Sequence, residues 1–459
     1  MLPNAFAAEA GEAARFLDAH PDIEYFEMFF TSLGGVPRGK RMRRSEVMKL
    51  YEGSAFLPGS MVAVDILGQD CEETGMVWET GDADRIARAV PGGIVPAPWL
   101  GEDAAQVMCS LHELDGAPTI FDPRAVLTRV LERYAADGLT PVVACELEFY
   151  LVETIDGQVR LRRSRFSGRA PLAGEAHSLY ETEDAADVLR ALWKVADAQG
   201  FPLEGASKEA SPGQMELTLH HRADALRAAD DAILYKRAAK GVARPFGCEA
   251  TFMAKPFADI AGSGFHIHMS MLDAAGANIF AAEAPEGTPA LHHAIGGMAA
   301  TMAEAFAVLA PNANSFRRYV ARSYAPVAPT WGINNRTVAL RIPAGAAASR
   351  RVEHRVAGAD ANPYLALAVV LAGAHHGLTH RIDPGPMTHG DGYAAAAASG
   401  ASLPTDWLAA IDRFSKSAVM RDYLGDAFVD LYATVKRTEQ ARFNAVVTSL
   451  DHDWYLQNA

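Results

Sequence analysis

The chain has few cysteines, no excess of basic side chains and no long apolar run. Its 459 residues include only four cysteines, which show neither paired zinc-ligand spacing nor the density of a small disulfide-rich secreted domain. Lysine and arginine number 42 against 56 acidic residues, giving a formal net charge of −14. This charge argues against a nucleic-acid scaffold and against binding to an anionic membrane surface.

The longest apolar run, around Tyr364–Ala374, is too short to cross a bilayer and predicts a buried core helix. The N-terminal residues have no basic region followed by an apolar core, so we predict no signal peptide and a cytoplasmic, reduced protein. With 49% hydrophobic residues, the chain is long enough to bury a large core in two or three domains.

What the sequence does contain is a short apolar segment with two acidic residues, Val142–Leu151. Its β-branched and aromatic residues predict a strand. Because side chains alternate along a strand, Glu146 and Glu148 should share one face while Leu147 and Phe149 face the other way. Two such carboxylates are costly to bury without a partner. A solvated face explains them, and so does a divalent cation, which turns their repulsion into coordination.

Related arrangements recur downstream. The segment EASPGQME carries Glu209 and Glu216 on either side of a Pro-Gly turn, which can return two carboxylates to one place. In GSGFHIHMS, His266 and His268 alternate along a predicted strand, and RRVEHR contains another glutamate. The pooled donors are Glu146, Glu148, Glu209, Glu216, Glu353 and His266. A set rich in oxygen and without thiolate suits Mg²⁺ or Mn²⁺ better than zinc.

These motifs, with NNRTVALRIP and RRVEHRVAGADANPYL, occur in the order and at the spacings of the glutamine synthetase superfamily. The chain resembles in particular the branch that joins glutamate to amines, the γ-glutamylpolyamine synthetases and their relatives. The resemblance extends from the hairpin near Phe26 to the C-terminus. It implies an α+β fold with an N-terminal β-grasp domain over residues 1–112. Residues 113–459 would form a catalytic domain with a curved antiparallel sheet flanked by helices.

The resemblance also implies two divalent cations, Mg²⁺ or Mn²⁺, in each active site. One would be held by Glu148, Glu209 and Glu216. The other would be held by Glu146, His266 and Glu353. Outside such a motif, a buried histidine is more often a packed core residue than a ligand. The residues implied for the ATP site are Glu204, His268, Ser270, Arg341 and Arg351.

Arginines form a second group, because planar guanidinium suits phosphate and carboxylate oxygens. An isolated arginine would more often form a surface salt bridge, but these lie within the family's motifs. By resemblance, Arg336 and Arg341 stabilise the transferred phosphoryl group. The residues implied for glutamate binding are Arg318, Arg355, Glu148 and Gly262. The implied reaction makes γ-glutamyl phosphate from glutamate and ATP, and a nitrogen nucleophile then displaces phosphate to form an amide.

Three positions depart from the pattern of ammonia-using members. Pro58 stands where those members carry the aspartate that binds ammonium, Tyr324 replaces the glutamate of the catalytic flap, and Ala261 replaces an asparagine. These changes favour an organic amine, either a polyamine or a monoamine, as the acceptor. An ammonia-using glutamine synthetase and a non-catalytic family member are the alternatives. The sequence does not identify the amine, and the context of Tyr393 differs from that of the tyrosine adenylylated in some members.

The resemblance further implies a homo-dodecamer of two hexameric rings, in which the β-grasp domain completes a neighbour's active site.

Locally, the sequence predicts a helix that begins at Pro123 after the cap Asp122. Pro91-Gly92-Gly93 is interpreted as part of a turn-rich segment. The other strands predicted for the N-terminal part are Ile23–Thr31, Arg38–Met42, Met61–Val64 and Gln106–Leu111. Residues 155–178 are expected to form an exposed loop.

Overall fold

The computed structural model describes residues 6–171 and 174–459. Residues 1–5 and two positions of the predicted loop 155–178 therefore lie outside the described residues. The N-terminal part contains two short helices, α1 (Ala10–Ala19) and α2 (Lys49–Glu52). Its strands are β1 (Tyr25–Thr31), β2 (Pro37–Arg43), β3 (Phe56–Pro58), β4 (Asp84–Pro96) and β5 (Ala104–His112).

These strands form a five-stranded sheet in the order β2-β1-β5-β4-β3. The β1–β2 hairpin is antiparallel, as its glycine-containing loop predicts, and β1 runs parallel to β5. Gly35 in the hairpin loop has a φ of 75°, a conformation that glycine adopts without strain. The division at residue 112 coincides with the end of β5 but remains a prediction.

Two local predictions for this part were wrong. Residues Gly59–Ala63 form a 3-10 helix where a strand over Met61–Val64 was expected. Val62, Ala63 and Val64 are all buried, so the apolar pattern reflects a segment enclosed on several sides and not the alternating faces of a strand. Strand β4 was missed because Pro91-Gly92-Gly93 resembles a turn. The irregularity in its pairing between Ala89 and Ile94 accommodates these residues within the strand.

The larger sheet has nine strands in the described part of the chain. Seven follow the order β12-β13-β14-β11-β6-β9-β8, while β7 and β10 pair with β6. All pairings are antiparallel except that of β12 with β13. The strands are β6 (Thr140–Ile155), β7 (Gln158–Leu161), β8 (Leu203–Lys208), β9 (Gln214–Leu219), β10 (Glu249–Thr251), β11 (Phe265–Leu272), β12 (Trp331–Ile333), β13 (Leu340–Ile342) and β14 (Val352–His354).

Strand β6 extends the predicted Val142–Leu151 strand at both ends, and β7 folds back on it. The prediction of a loop over 155–178 was therefore wrong for Gln158–Leu161. This hairpin forms because residues 156–157, an Asp-Gly pair with positive φ values, make a tight turn.

Helices cover and flank the larger sheet. They are α3 (Pro123–Ala136), α4 (Leu179–Asp184), α5 (Ala186–Gln199), α6 (Ala225–Ala243), α7 (Pro289–Leu309), α8 (Pro363–His380), α9 (Gly392–Ser399), α10 (Trp407–Lys416), α11 (Ala418–Leu424), α12 (Asp426–Asn444) and α13 (Ser449–Tyr455). Helix α3 begins as predicted, because the Asp122 side chain accepts a hydrogen bond from the backbone N–H of Arg124. The predicted core helix at Tyr364–Ala374 lies buried within α8.

The two sheets are joined through buried polar contacts. Asn362, the N-cap of α8, donates to the carbonyl oxygens of Ser32 and Leu33 in the N-terminal hairpin. A separate buried ion pair joins two helices that flank the larger sheet, Arg124 of α3 with Asp230 of α6 at 3.0 Å. The four cysteines are buried and free. In the described residues, no helix combines the length and apolar character needed to cross a bilayer.

Candidate active site

Strand β6 lies between β9 and β11 and brings the predicted acidic residues together. Glu148 lies opposite Glu216 on β9, and Glu146 lies opposite His266 on β11. Between these acids, Leu147 is fully buried on the other face of the strand. The face assignment made from the period of two is therefore confirmed. On the far side of β11, His268 lies opposite Glu353 of β14.

Two groups of side chains have ligand atoms close enough for one ion. The first consists of Glu146, His268 and Glu353, and the second of Glu146, Glu216 and His266. In each group, one ligand atom from every residue lies within 4.8 Å of the others. His266 is buried, and its Nδ1 lies 4.0 Å from Oε2 of Glu146 and 3.8 Å from Oε1 of Glu353. Carboxylate oxygen and imidazole nitrogen are both suitable ligands for a divalent cation.

Glu148 is held by neighbouring donors. Its Oε2 accepts hydrogen bonds from Nε2 of Gln214 at 3.0 Å and from the backbone N–H of Gly264 at 2.7 Å. Its Oε1 lies 3.9 Å from Nε2 of His266. Gln214 in turn accepts from the hydroxyl of Tyr150 at 3.2 Å. These contacts fix the carboxylate toward the cluster.

The electrostatics of this cluster favour an added positive charge. Burial raises the pKa of Glu216, and the nearby Glu146 carboxylate raises it further. Burial and Glu209 likewise raise the pKa of Glu148 above its usual range. Burial and Glu146 raise the pKa of Glu209. Because burial and mutual repulsion oppose ionisation of these carboxyls, a divalent cation would stabilise their charged forms, and the residues present fit such an ion.

Glu353 differs because two arginines neutralise it. Arg341 donates from Nη1 to its Oε2 at 2.8 Å, and Arg355 donates to its Oε1. Burial alone would raise the pKa of Glu353, but Arg355, the neighbouring histidines and Arg341 together outweigh burial and hold the pKa at about 2. Burial and the charge of Arg355 also lower the pKa of His266 to about 3, so its imidazole is neutral and free to act as a ligand.

The structure groups the predicted metal residues differently from the two trios implied by resemblance. Glu146 belongs to both groups of ligand atoms, and Glu216 joins His266 in one of them. Glu148 and Glu209 border the cluster without belonging to either group. The ligand assignment therefore stays a prediction, although Glu148 lies within 3.9 Å of His266.

Arg318, predicted to bind glutamate, is buried beside the glycines that precede β11. It donates from Nη1 to the carbonyl oxygen of Val356 at 2.8 Å. A Cβ on Gly262 would lie 2.8 Å from Cγ of Arg318, and one on Gly264 would lie 2.7 Å from its Nη2. A side chain at either position would collide with Arg318, so glycine there lets the Arg318 side chain lie close to the backbone.

Of the residues predicted for the nucleotide site, three lie at the cluster, and one of them is Arg341 through its contact with Glu353. His268 contacts Glu146, and Arg351 donates from Nε to Nδ1 of His268 at 3.3 Å. Ser270 follows on β11 and is half-buried. Glu204 instead lies on the edge strand β8, where its exposed side chain is 3.6 Å from Nδ1 of His220.

The flap residue Tyr324 is 62% exposed and has a φ of 61°, in the left-handed region that is uncommon for a tyrosine. It lines an open cavity of about 800 Å³ together with Arg336, Glu286 and the loop from Asn334. Arg336 also lowers the pKa of Glu209, although burial raises it overall. This places the predicted phosphoryl-stabilising arginine between the flap cavity and the acidic cluster.

Sequence reasoning missed Gln214. This buried residue orients Glu148 and also donates to the carbonyl oxygen of Gly262 at 3.1 Å. Its position inside EASPGQME, two residues before Glu216 on the same strand face, was the available signal. The signal was weak because the role of Gln214 depends on the register between β6 and β9.

A buried cluster of carboxylates and imidazoles, lined by arginines at the centre of an antiparallel sheet, is typical of a metal-dependent enzyme that handles anionic substrates. Residues 121–455 match the glutamine synthetase catalytic domain. The chain belongs to the glutamine synthetase family.

Two relatives and one solved structure define the similarity further. Gamma-glutamylputrescine synthetase PuuA of Escherichia coli strain K12 is 38% identical, with 98% of this chain and 95% of that protein covered. Glutamate–isopropylamine ligase of a Pseudomonas species is 31% identical, with 96% of each covered. The structure of a GmaS–ADP complex superposes with a TM-score of 0.83 at 28% identity, covering 97% of this chain and 99% of that one.

Proposed function

We propose that this chain is an ATP-dependent ligase that joins the γ-carboxylate of glutamate to an organic amine. The observation that carries the proposal is that two relatives named for amine ligation align with 98% and 96% of this chain. The match to the catalytic domain family alone would support an ammonia-using enzyme equally well.

In the first step, an oxygen of the glutamate γ-carboxylate attacks the γ-phosphorus of ATP. The bond from that phosphorus to the β,γ-bridging oxygen breaks, giving γ-glutamyl phosphate and ADP. Arg336 and Arg341 would stabilise the charge on the transferred phosphoryl oxygens, while Arg318 and Arg355 would bind the carboxylates of glutamate. Arg341 and Arg355 already converge on Glu353, which supports a role for both at one reaction centre.

Two divalent cations, Mg²⁺ or Mn²⁺, would be held by Glu146, Glu148, Glu209, Glu216, His266 and Glu353. When bound, they would supply positive charge that offsets the triphosphate and the substrate carboxylates. The protein's own contribution is to keep these ligands in position. Gln214 orients Glu148, and the arginine pair orients Glu353.

In the second step, a neutral amine attacks the acyl carbon of γ-glutamyl phosphate. The carbon–oxygen bond to phosphate breaks, phosphate leaves, and the nitrogen releases its extra proton to solvent. Pro58 carries no acidic group that could bind ammonium. The exposed ring of Tyr324 can pack against methylene groups or face a cationic amine, worth about 0.5–2 kcal/mol.

We also propose a homo-oligomer, with two stacked hexamers as the expected form, in a cytoplasmic location. Apolar side chains before, within and directly after α13 support an assembly because they are exposed in the single chain. Val447, Leu450 and Leu456 are 70%, 53% and 76% exposed. Large apolar side chains exposed together on one short segment often mark a surface that another chain covers.

The proposal is tested by measuring phosphate release with ATP, Mg²⁺, glutamate and a panel containing ammonium, monoamines and polyamines, with each amide identified by mass. We expect turnover with at least one organic amine that exceeds turnover with ammonium. Preferential use of ammonium would instead identify an ammonia-using glutamine synthetase. No phosphate release with any acceptor would support a non-catalytic member.

A further inference from the structure

A second charged cavity lies between the N-terminal sheet and helix α6, apart from the candidate active site. Its volume is about 340 Å³. Five basic side chains line it: Arg41, Lys236, Arg237, Lys240 and Arg244. This concentration of positive charge stands out in a chain whose formal net charge is −14.

The acidic residue that lines this cavity, Glu27, is already engaged. Its Oε1 accepts from Arg41 at 2.6 Å, and its Oε2 accepts from Arg237. Among the described residues, Lys236, Lys240 and Arg244 form no ion pair with a carboxylate. Glu27 therefore leaves most of the positive charge in the cavity unbalanced.

The contacts of the remaining cations are weak or uncharged. Nζ of Lys236 donates to the carbonyl oxygens of Ala359 and Ala361 at 2.8 and 3.3 Å. Nζ of Lys240 lies 5.9 Å from the ring centroid of Phe252. Carbonyl oxygens and an aromatic face can stabilise an ammonium group, but they do not neutralise it.

The cations also oppose one another. Burial lowers the pKa of Lys236 to about 7, and the charge of Lys240 contributes to this shift while Asp360 opposes it. Burial and the charge of Arg244 lower the pKa of Lys240 in the same way. A bound anion would relieve both the desolvation and the repulsion.

The cavity also has an apolar wall. The half-buried Trp99 lines it beside Leu100 and Ile233. The indole lies directly against α6, because a Cβ on Gly241 would be only 2.4 Å from Cγ of Trp99. The glycine therefore allows an aromatic surface to lie next to the basic side chains.

We propose that this cavity binds a small organic anion that carries at least two carboxylate or phosphate groups. Guanidinium and ammonium groups on several sides can each bind a separate anionic group, and the Trp99 wall can contact the carbon body of the ligand. A monovalent inorganic ion would leave most of this charge unmatched. None of the residues predicted for catalysis, metal or nucleotide lines the cavity, so the site is separate from the proposed ligase site.

The test uses the full chain in its native assembly, with citrate and pyrophosphate as probes and acetate as the monovalent reference. Binding is followed by calorimetry and by tryptophan fluorescence, and a Trp99→Phe variant assigns the optical signal. We expect saturable binding of citrate or pyrophosphate at least about tenfold tighter than acetate, because multiple charge-assisted hydrogen bonds form at once. Tighter binding of citrate would indicate carboxylate recognition, and tighter binding of pyrophosphate would indicate phosphate recognition.

Two paired variants and two single variants locate the binding. Lys240→Glu with Arg244→Glu should weaken the preferred probe at least about tenfold, since the substitution reverses two contacting charges. The neutral pair Lys240→Gln with Arg244→Gln provides the same test if charge reversal prevents folding. Lys194→Glu on the exposed face of α5 is the matched control and should leave affinity within about twofold. Arg341→Ala, in the candidate active site, should retain the binding.

Four results would overturn the proposal. The first is the absence of saturable binding at millimolar probe, and the second is unchanged affinity in both paired variants. Loss of the signal in Arg341→Ala would place the anion in the candidate active site instead. A structure of the assembled protein with a carboxylate of a second copy filling the cavity would also exclude a small-molecule ligand.

Discussion

Nε2 of His268 lies 2.8 Å from Oε2 of Glu146, while Nδ1 of the same ring accepts from Nε of Arg351 at 3.3 Å. A neutral imidazole with these partners carries its proton on Nε2 and donates it to Glu146. His268 therefore links a predicted metal ligand to a residue predicted for the nucleotide site. In this protonation state Nε2 has no lone pair for a metal, which favours His268 as a positioning and nucleotide-contacting residue.

The first prediction distinguishes a metal ligand, the role predicted for Glu146, from a positioning and nucleotide-contacting residue, the role favoured for His268. Glu146→Gln should weaken Mn²⁺ binding at least about tenfold, because it removes a charged ligand shared by both groups of donor atoms. His268→Asn should leave Mn²⁺ binding within about threefold but raise the KM for ATP. Calorimetry with Mn²⁺ and steady-state kinetics with varied ATP would measure the two effects.

Far-ultraviolet circular dichroism of both variants serves as the control for folding. Equal loss of Mn²⁺ binding in Glu146→Gln and His268→Asn would contradict the assignment and make His268 a ligand. Unchanged binding in Glu146→Gln would mean that the acidic cluster holds no metal through this residue.

Local physics predicted the part of the site that one strand determines. The alternation of Glu146, Leu147 and Glu148 follows from the geometry of any strand, and the apolar flanks indicated that Leu147 faces the core. The helix beginning at Pro123 was equally accessible, because Asp122 and Pro123 are themselves the start signal. These features depend on neighbours in sequence.

Features that depend on distant neighbours were not accessible. The contact between His268 and Glu146 requires the register of β6 with β11, and the orientation of Glu148 by Gln214 requires the register of β6 with β9. Strand β4 was missed for the same reason, since its pairing with β5 outweighs the local turn preference of its Pro-Gly-Gly segment. Family resemblance supplied roles for these residues but not their geometry.

The second prediction concerns acid stability. His112 is 2% exposed on β5, and burial together with the charges of Arg88 and Arg124 lowers its pKa to about 4. In the unfolded chain this imidazole takes up a proton near pH 6.5, whereas in the folded protein it stays neutral down to about pH 4. Protonation therefore favours unfolding between these pH values, and the free energy of unfolding falls by about 2 kcal/mol between neutral pH and pH 5.

Denaturant unfolding at pH 7.5 and pH 5 would measure how much His112 contributes to the pH dependence of the unfolding free energy. His112→Gln should reduce the difference in unfolding free energy between the two pH values by about 2 kcal/mol relative to the parent protein. His221→Gln, at an exposed position, should leave the difference unchanged. An equal reduction in both variants, or in neither, would contradict the role of His112.

The third prediction concerns assembly. Deleting residues 446–459 removes the exposed apolar side chains in and before α13, including Trp454, which is 58% exposed. If this surface lies between copies, the truncated protein should sediment at a lower mass than the full chain at the same concentration. The replacement of Asp453, an exposed polar residue of α13, by Asn is the matched control. A monomeric full chain that retains ligase activity would exclude the proposed ring assembly.

The fourth prediction concerns the acceptor. Ammonium and alkylamines are both mostly protonated at neutral pH, so selection depends on the groups that surround the cation. Pro58 ends the edge strand β3 and is exposed, and Tyr324 is 62% exposed at the flap, so each can be replaced without disrupting the core. Pro58→Asp with Tyr324→Glu would add two carboxylates of the kind that bind a small cation.

The double variant should therefore raise the ratio of ammonium use to amine use, measured as kcat/KM from phosphate release with each acceptor at saturating ATP and glutamate. A shift of about tenfold corresponds to ~1.4 kcal/mol, which one well-placed charged contact can supply. The matched control is Pro58→Asn with Tyr324→Gln. Its amides have the shape of the introduced carboxylates but no charge, so it should shift the ratio much less. An equal shift in both double variants would assign the effect to the shape of the acceptor pocket. An unchanged ratio in the acidic variant would mean that neither position determines acceptor choice.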